Sequence, residues 1–376
     1  MNTNDRQKSE FCKTALIAAL FFVFALFFSS CDAASVRAAV LPPEPTTRPQ
    51  GAADAGGGGL QFTEKSPYDK NTVVAVNTAV DVYERADKTS ARLTQLLFDE
   101  PAQVLERSGQ WVRLNTGGRA EGWVRARDLD GDWTCVDGRR YTGRIVITNR
   151  EKQIYSQPRN GAVIRDISMG TELFVIGKSD NLYQVALPGN LTGWVFENGT
   201  FQLDGGEKIT KTTAEIFAQS CVKFKGTSYL EGGVGFAGID GAGLLYIAAK
   251  VNGVALPRGL AEQFTSGEAV PVAAVAALVS VESETSAAPE VTEVSEAALA
   301  AAIPAATPGS PIAAALKVGD VLFFSLNEGE TTVSDIGIYT GEGKFIHANR
   351  RNGKVQYEDA AAAYYQQRIL GVRRYF

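Results

Sequence analysis

The sequence predicts a multidomain chain in which two small all-β barrels precede a larger α+β unit. Three observations carry this. A pattern of short alternating strands between residues 70 and 205 occurs twice. A helical segment beginning in "GAGLLY" leads into strand-like runs near the C-terminus, the order expected of an α+β unit. Thirty-eight glycines spread over 376 residues supply the turns that many short strands need.

The start of the chain reads as an export segment. Residues 1–31 carry Arg6, Lys8 and Lys13, then the apolar run "ALIAALFFVFALFF" (Ala15 to Phe28) and small residues, the pattern of a secretory signal. The run is shorter than the roughly 20 residues of a membrane-spanning helix. "FSSC", ending at Cys31, resembles a bacterial lipobox with phenylalanine where leucine is usual. On one reading Cys31 is lipidated and anchors the mature protein to a bacterial membrane; on the other, cleavage occurs nearby and Cys31 plays no part. Both readings take the chain out of the cytoplasm, into the cell envelope. Residues 32–69, rich in Pro, Gly and Ala, are expected to be a flexible tether.

The charge balance, 37 Lys and Arg against 42 Asp and Glu, gives a net charge of −5 with no basic stripe, and excludes nucleic acid as a partner. Cys12 leaves with the signal, so Cys135 and Cys221 either pair in an oxidising compartment or remain separate thiols. No Cys/His spacing argues for zinc, and no metal or cofactor is expected.

The barrels are expected over residues 70–131 and 140–205. "DVYERAD" at 81 is answered by "QIYSQPR" at 153, and "QWVRLNTGGRAEGWV" at 110 by "NLYQVALPGNLTGWV" at 181. The aromatic pairs Tyr83/Tyr155, Trp111/Tyr183 and Trp123/Trp194 keep nearly the same spacing. Runs such as "AQVLER" and "ELFVIG" alternate between apolar and polar and are bounded by Gly, Asn and Asp turns, as half-buried strands do. The repeated Trp-Val pairs are expected in the barrel cores.

Residues 207–376 form the third unit, interrupted by an insert at about 271–315 that lacks Lys and Arg and is dominated by Ala, Ser, Glu and Pro. That composition buries little surface and predicts a loop. Ahead of it, Leu244, Leu245, Ile247, Ala248 and Val251 recur at helical spacing up to an Asn-Gly stop. Behind it, "VGDVLFFS", "SDIGIYTG" and "KFIHANR" read as strands.

Several of these stretches resemble known families. The G-W-V strands after glycine-rich hairpins are similar to bacterial SH3 domains, modules that flank or bind cell-wall material. "KGTSYLEGGVGFAGIDGAGLLY", "LPRGLAEQF", "LKVGDVLFF", "SDIGIYTGEGKFIHA" and "GVRRYF" resemble the papain-like NlpC/P60 family, cysteine peptidases of peptidoglycan stem peptides. With two SH3-like barrels in front, the chain is similar to the γ-D-glutamyl-L-diamino acid endopeptidases of that family. The resemblance implies a cysteine at a helix N-terminus, a histidine base and a third polar residue that orients the base.

Here the nucleophile position is Gly241 and the base position Asp335; His347, the chain's one histidine, matches the orienting position. Glycine has no side chain with which to attack a carbonyl, so the family reaction is not expected at this site. The resemblance further implies that Tyr229 and Asp240 hold the free amine of an N-terminal L-Ala, with Arg258 nearby, although Ser228, Glu231 and Ala242 depart from the pattern. The other reading gives Tyr229 and Asp240 a purely structural role, Asp240 as a helix cap, and Arg258 a solvated or structural one.

The expected function is an envelope pseudoenzyme that binds stem peptides, muropeptides or an envelope protein partner without cleaving them. Two alternatives stand beside it: a working endopeptidase with relocated catalytic residues, and a structural or regulatory envelope scaffold. Neither Cys135 nor Cys221 is expected to reach the cleft.

Overall fold

The computed structural model describes residues 65–271 and 316–376. The signal, Cys31, the tether up to residue 64 and residues 272–315 of the insert lie outside the described residues.

The first barrel is built from β1 (Thr72–Ala75), β2 (Ala79–Tyr83), β3 (Arg92–Leu97), β4 (Pro101–Ser108), β5 (Trp111–Asn115), β6 (Glu121–Arg125) and β7 (Leu129–Asp130). The second uses β8 (Gly143–Ile147), β9 (Glu151–Tyr155), β10 (Val163–Ser168), β11 (Glu172–Ser179), β12 (Leu182–Leu187), β13 (Leu191–Phe196) and β14 (Thr200–Asp204). Strand order is β3-β2-β6-β5-β4-β1-β7 in the first and β10-β9-β13-β12-β11-β8-β14 in the second, the same order shifted by seven strands. The sequence repeat is therefore a repeat of topology.

Alternation places Val80, Val82, Val112, Leu114 and Val124 inside the first barrel, and Ile145, Ile147, Ile154, Val185 and Val195 inside the second. Tyr83 stands opposite Trp123, and Tyr155 opposite Trp194, in matching registers. The expectation of Trp-Val pairs in the core needs correcting by half. Val124 and Val195 are fully buried, whereas Trp123 and Trp194, one residue earlier and so on the other face, are only partly covered. The glycine of G-W-V has a steric cause. A Cβ on Gly122 would lie 2.7 Å from both the Tyr83 carbonyl oxygen and Val82 Cγ1, and one on Gly193 would run into Ile154.

The third unit opens with α1 (Ala214–Val222), capped by Thr213, whose hydroxyl accepts from the Ile216 amide. A short hairpin, β15 (Val234–Gly235) and β16 (Gly238–Ile239), leads into α2 (Gly241–Val251). After α2 come α3 (Leu260–Thr265), β17 (Glu268–Ala269), β18 (Val321–Ser325), β19 (Val333–Gly341), β20 (Lys344–Asn349), β21 (Lys354–Asp359), α4 (Ala363–Gln366) and β22 (Ile369–Arg374). The six strands β17-β22-β18-β19-β20-β21 pair antiparallel in that order.

Helix α2 is apolar on nearly every side because it is central. Leu244, Leu245, Ile247 and Ala248 are fully buried in one cluster with Phe217 and Cys221 of α1 and Val321, Ile336 and Ile346 of the sheet. Gly243 marks its closest approach: a Cβ there would strike the Gly233 carbonyl oxygen. Gly243→Ala is expected to cost about 1–3 kcal/mol or more through overpacking. Gly131→Ala, where a Cβ meets nothing within 4 Å, should change little; urea unfolding of both checks this.

Both barrels dock onto the third unit. The Val234 amide donates to Gln95 Oε1 at 3.1 Å, and Arg92 donates to the Glu231 carbonyl at 2.9 Å. From the second barrel, Ser168 Oγ accepts from the Phe236 amide at 3.2 Å and the Gly170 carbonyl from Lys250 at 3.0 Å. The first barrel thereby becomes a wall of the cleft at the N-terminus of α2.

Candidate functional site

A cleft of about 550 Å³ brings together all six residues singled out from the third unit: Tyr229, Asp240, Gly241, Arg258, Asp335 and His347. Gly241 is the first residue of α2, and a Cβ built on it would lie 3.4 Å from Asp335 Oδ1 and 3.1 Å from Ile336 Cγ1. Asp335, on β19, stands between that point and His347 on β20, whose Nδ1 is 3.4 Å from Asp335 Oδ2. The spatial order of the three positions is thus nucleophile position, base position, orienting position.

Asp240 is the N-cap of α2. Its Oδ1 accepts from the Gly243 amide at 2.6 Å and its Oδ2 from the Gly232 amide at 2.7 Å. Arg258 Nη2 reaches the same carboxylate at 2.9 and 2.8 Å. The Arg258 side chain is only 6% exposed, so this guanidinium is a buried counter-ion and not a solvated one. An ammonium arriving at Asp240 would meet a carboxylate already satisfied by a cation and two amides.

Tyr229 is similarly engaged. Its hydroxyl donates to Glu231 Oε2 at 2.9 Å, Arg350 pairs with the same carboxylate, and the Arg350 guanidinium lies 5.8 Å from the Tyr229 ring centre. Burial and the neighbouring Glu231 carboxylate push the phenol above its ordinary value. Glu231, which departs from the family pattern, therefore occupies the tyrosine hydroxyl that the resemblance assigned to the ligand.

His347 is 2% exposed and has acidic neighbours on both sides. Glu358 Oε1 lies 3.9 Å from Nε2, a long ion-pair contact, and the Tyr365 hydroxyl lies 3.4 Å from the same nitrogen. The approach of Nδ1 to Asp335 is at ion-pair distance without hydrogen-bond alignment. Burial disfavours the imidazolium, but the two carboxylates outweigh it and raise His347 above its usual value. Contact with His347, opposed by burial and helped by Gln356 and Asn349, holds Glu358 down to about 2.

The signs of these shifts define a window. The raised His347 contributes stability that is complete below its unfolded value near 6.5 and is lost as pH rises through its folded value. The lowered Glu358 contributes stability that is present above 4.5 and is lost as pH falls towards about 2. Both contributions are complete between roughly pH 4.5 and 6.5. Thermal unfolding of wild type and His347→Gln across pH 2–9 should show the largest gap in that window and convergence on either side.

The two cysteines are free and buried, which settles the alternative of a disulfide in favour of separate thiols. Cys135 Sγ lies 3.0 Å from Asp99 Oδ1, and Cys221 sits in the core of α1, fully covered. Burial pushes both thiols up, away from the thiolate, and neither residue lines the cleft that holds His347.

Sequence reasoning missed Glu358, Tyr365 and Arg92. Glu358 had a usable signal: on β21, Gln356 pairs with His347, and Glu358 two residues on shares its face. Arg92 had none, because it reaches the cleft only through docking of the first barrel.

Residues 226–374 match the model of the NlpC/P60 family and residues 78–130 that of the bacterial SH3 domain. A γ-D-glutamyl-L-lysine dipeptidyl-peptidase of Bacillus subtilis (strain 168) is 23% identical over 291 residues, covering 75% of this chain and 81% of that protein. The murein DD-endopeptidase MepH of Escherichia coli (strain K12) is 37% identical over 59 residues, 16% of this chain and 21% of that protein. The crystal structure of an NlpC/P60 family protein from Bacillus cereus ATCC 10987 superposes with a TM-score of 0.64 at 18% identity, over 81% of this chain and 99% of that one. By family match, residues 226–374 form an NlpC/P60 domain and residues 78–130 a bacterial SH3 domain, and the second barrel repeats the strand order of the first.

Proposed function

We propose that this protein is a pseudoenzyme of the cell envelope that binds peptidoglycan stem peptides without cleaving them. The observation that carries the reading is the bare α2 N-terminus: Gly241 stands where the attacking thiol would be, with the Asp335 carboxylate 3.4 Å from its virtual Cβ. The cleft is kept as a pocket of ligand size, with a charged and aromatic lining.

The proposed ligand is a stem peptide of L-Ala, γ-D-Glu and a diamino acid, bound by the charged and aromatic lining of the cleft, since Asp240 and Tyr229 are engaged with Arg258 and Glu231. Relocated cysteine chemistry is disfavoured by the burial of Cys135 and Cys221 away from the cleft. Export and lipidation of Cys31 would hold the protein on a bacterial membrane surface, within reach of the wall. Labelling of cells with a clickable fatty acid should mark wild type and not Cys31→Ala.

Overnight incubation with L-Ala-γ-D-Glu-diaminopimelate, read by mass spectrometry, should leave the peptide intact, and calorimetry on the same material should show saturable heat. Product formation, or no heat with any stem peptide, overturns the reading.

A further inference from the structure

Most charges that line the cleft are already matched. Arg258 pairs with Asp240, and Arg350 with Glu231, inside it. Arg92, Arg119 and Glu121 pair with Asp81 at 2.7 Å, Glu100 at 3.0 Å and Arg113 at 2.9 Å, three residues outside the lining. Two charged side chains of the lining remain open to a ligand, Asp335 and Arg351.

Asp335 stands in a surplus of negative charge. Its nearest cationic group is His347, which it shares with Glu358. Two carboxylates about one imidazole leave a negative charge over even when the ring is protonated. Glu358 lies outside the lining, whereas the Asp335 side chain is 32% exposed, so the cleft meets the surplus at Asp335. The Ile336 amide donates to Oδ1 at 2.8 Å and takes one of the roughly four acceptor positions of the carboxylate. The positive end of α2 opposes a cation here, but it amounts to about half a charge against a whole one. Gly241 supplies the room: a side chain there would begin 3.4 Å from Oδ1, and glycine leaves that space to a ligand.

Arg351, in the turn between β20 and β21, is exposed. Among the described residues no carboxylate lies within ion-pair distance of it, and its guanidinium sits 4.3 Å from the Tyr364 ring centre. Tyr364 is steadied in turn by Arg368, whose guanidinium lies 4.0 Å from the ring and whose Nη1 donates to the Tyr364 carbonyl at 2.8 Å. Stacking occupies the flat face of a guanidinium and leaves its in-plane N–H groups for a carboxylate.

We propose that the cleft takes a zwitterionic peptide, with a primary ammonium received by Asp335 in the space left open at Gly241 and a carboxylate received by Arg351. The remains of the catalytic centre thereby serve as a receptor for an amine. This rests on the reading of the cleft as a peptide site that binds without cleaving.

Calorimetry on the full chain tests it with L-Ala-γ-D-Glu-L-Lys, with its Nα-acetyl, Nε-acetyl and fully amidated forms, and with Gly-L-Lys as an ordinary peptide bearing the same two groups. One of the two acetyl forms should bind wild type about fivefold or more weakly than the parent, and the form that loses affinity identifies the amine. Asp335→Asn should abolish that difference and Asp335→Glu should keep it. Amidation should likewise weaken binding about fivefold or more, a difference that Arg351→Gln abolishes and Arg351→Lys keeps in part. Acetyl forms equal to the parent, or differences that persist in Asp335→Asn or Arg351→Gln, overturn the inference and leave the cleft a stem-peptide site if the tripeptide still binds. Gly-L-Lys bound with these dependences while the tripeptide does not bind would remove only the function proposed for the cleft. Absence of binding by both peptides overturns both.

Discussion

Gly241→Cys combined with Asp335→His should give a protein that cuts L-Ala-γ-D-Glu-diaminopimelate at least about 10²-fold faster than wild type, with each single variant at background. The geometry explains why both changes are needed. A cysteine Cβ at position 241 fits if Ile336 gives by a few tenths of an ångström, since the built contact to Cγ1 is 3.1 Å. The thiol would then sit at the N-terminus of α2, where the helix dipole and free amides favour the thiolate. In Gly241→Cys alone it would face the Asp335 carboxylate, and that negative charge disfavours ionisation. Asp335→His replaces the carboxylate by a proton acceptor with His347 directly behind it. The members of such a unit act together, so the single variants should not sum to the double. Mass spectrometry of the products reads the outcome. Turnover by wild type at the rate of the double variant would show that chemistry resides elsewhere.

Arg258→Ala should be the most damaging single substitution near the cleft, costing about 3–5 kcal/mol in urea unfolding. It leaves Asp240 in a pocket where the carboxylate side chain is 14% exposed and its only cation has been removed. The two amides from Gly232 and Gly243 remain, but they do not replace a full charge. Arg258→Lys should lose less, since an ammonium keeps the charge but not the reach of the guanidinium to both carboxylate oxygens and the Gly233 carbonyl. Pairing Arg258→Leu with Asp240→Asn should recover much of the loss by removing the stranded charge. Equal stability of Arg258→Ala and wild type would mean that the pair is not a structural device, and would return Asp240 to the role of an amine receptor.

The particular residues show how far sequence alone reaches. The strand repeat, the helix beginning at Gly241 and the strands carrying Asp335 and His347 were all legible, because hydrophobic period and turn residues are local properties of the chain. That Gly241, at the position where the resemblance expects a nucleophile, has no side chain was equally legible: a missing side chain is missing in every fold.

Pairing between distant residues was not legible. Arg258, eighteen positions from Asp240, gave no sign that it would neutralise that carboxylate, nor Glu231 that it would take the Tyr229 hydroxyl. Arg92 and Arg119 enter the cleft only because the first barrel docks on the hairpin ahead of α2.

The sequence by itself determined the fold elements of this protein and the lack of a side chain at Gly241, since backbone propensity and side-chain identity travel with the chain. Only the tertiary structure decided which charges are spent on one another and which polar atoms, at Thr171 and Asp99, are left without a hydrogen-bond partner. Electrostatic and hydrogen-bond satisfaction depends on distance and burial, and packing alone sets both.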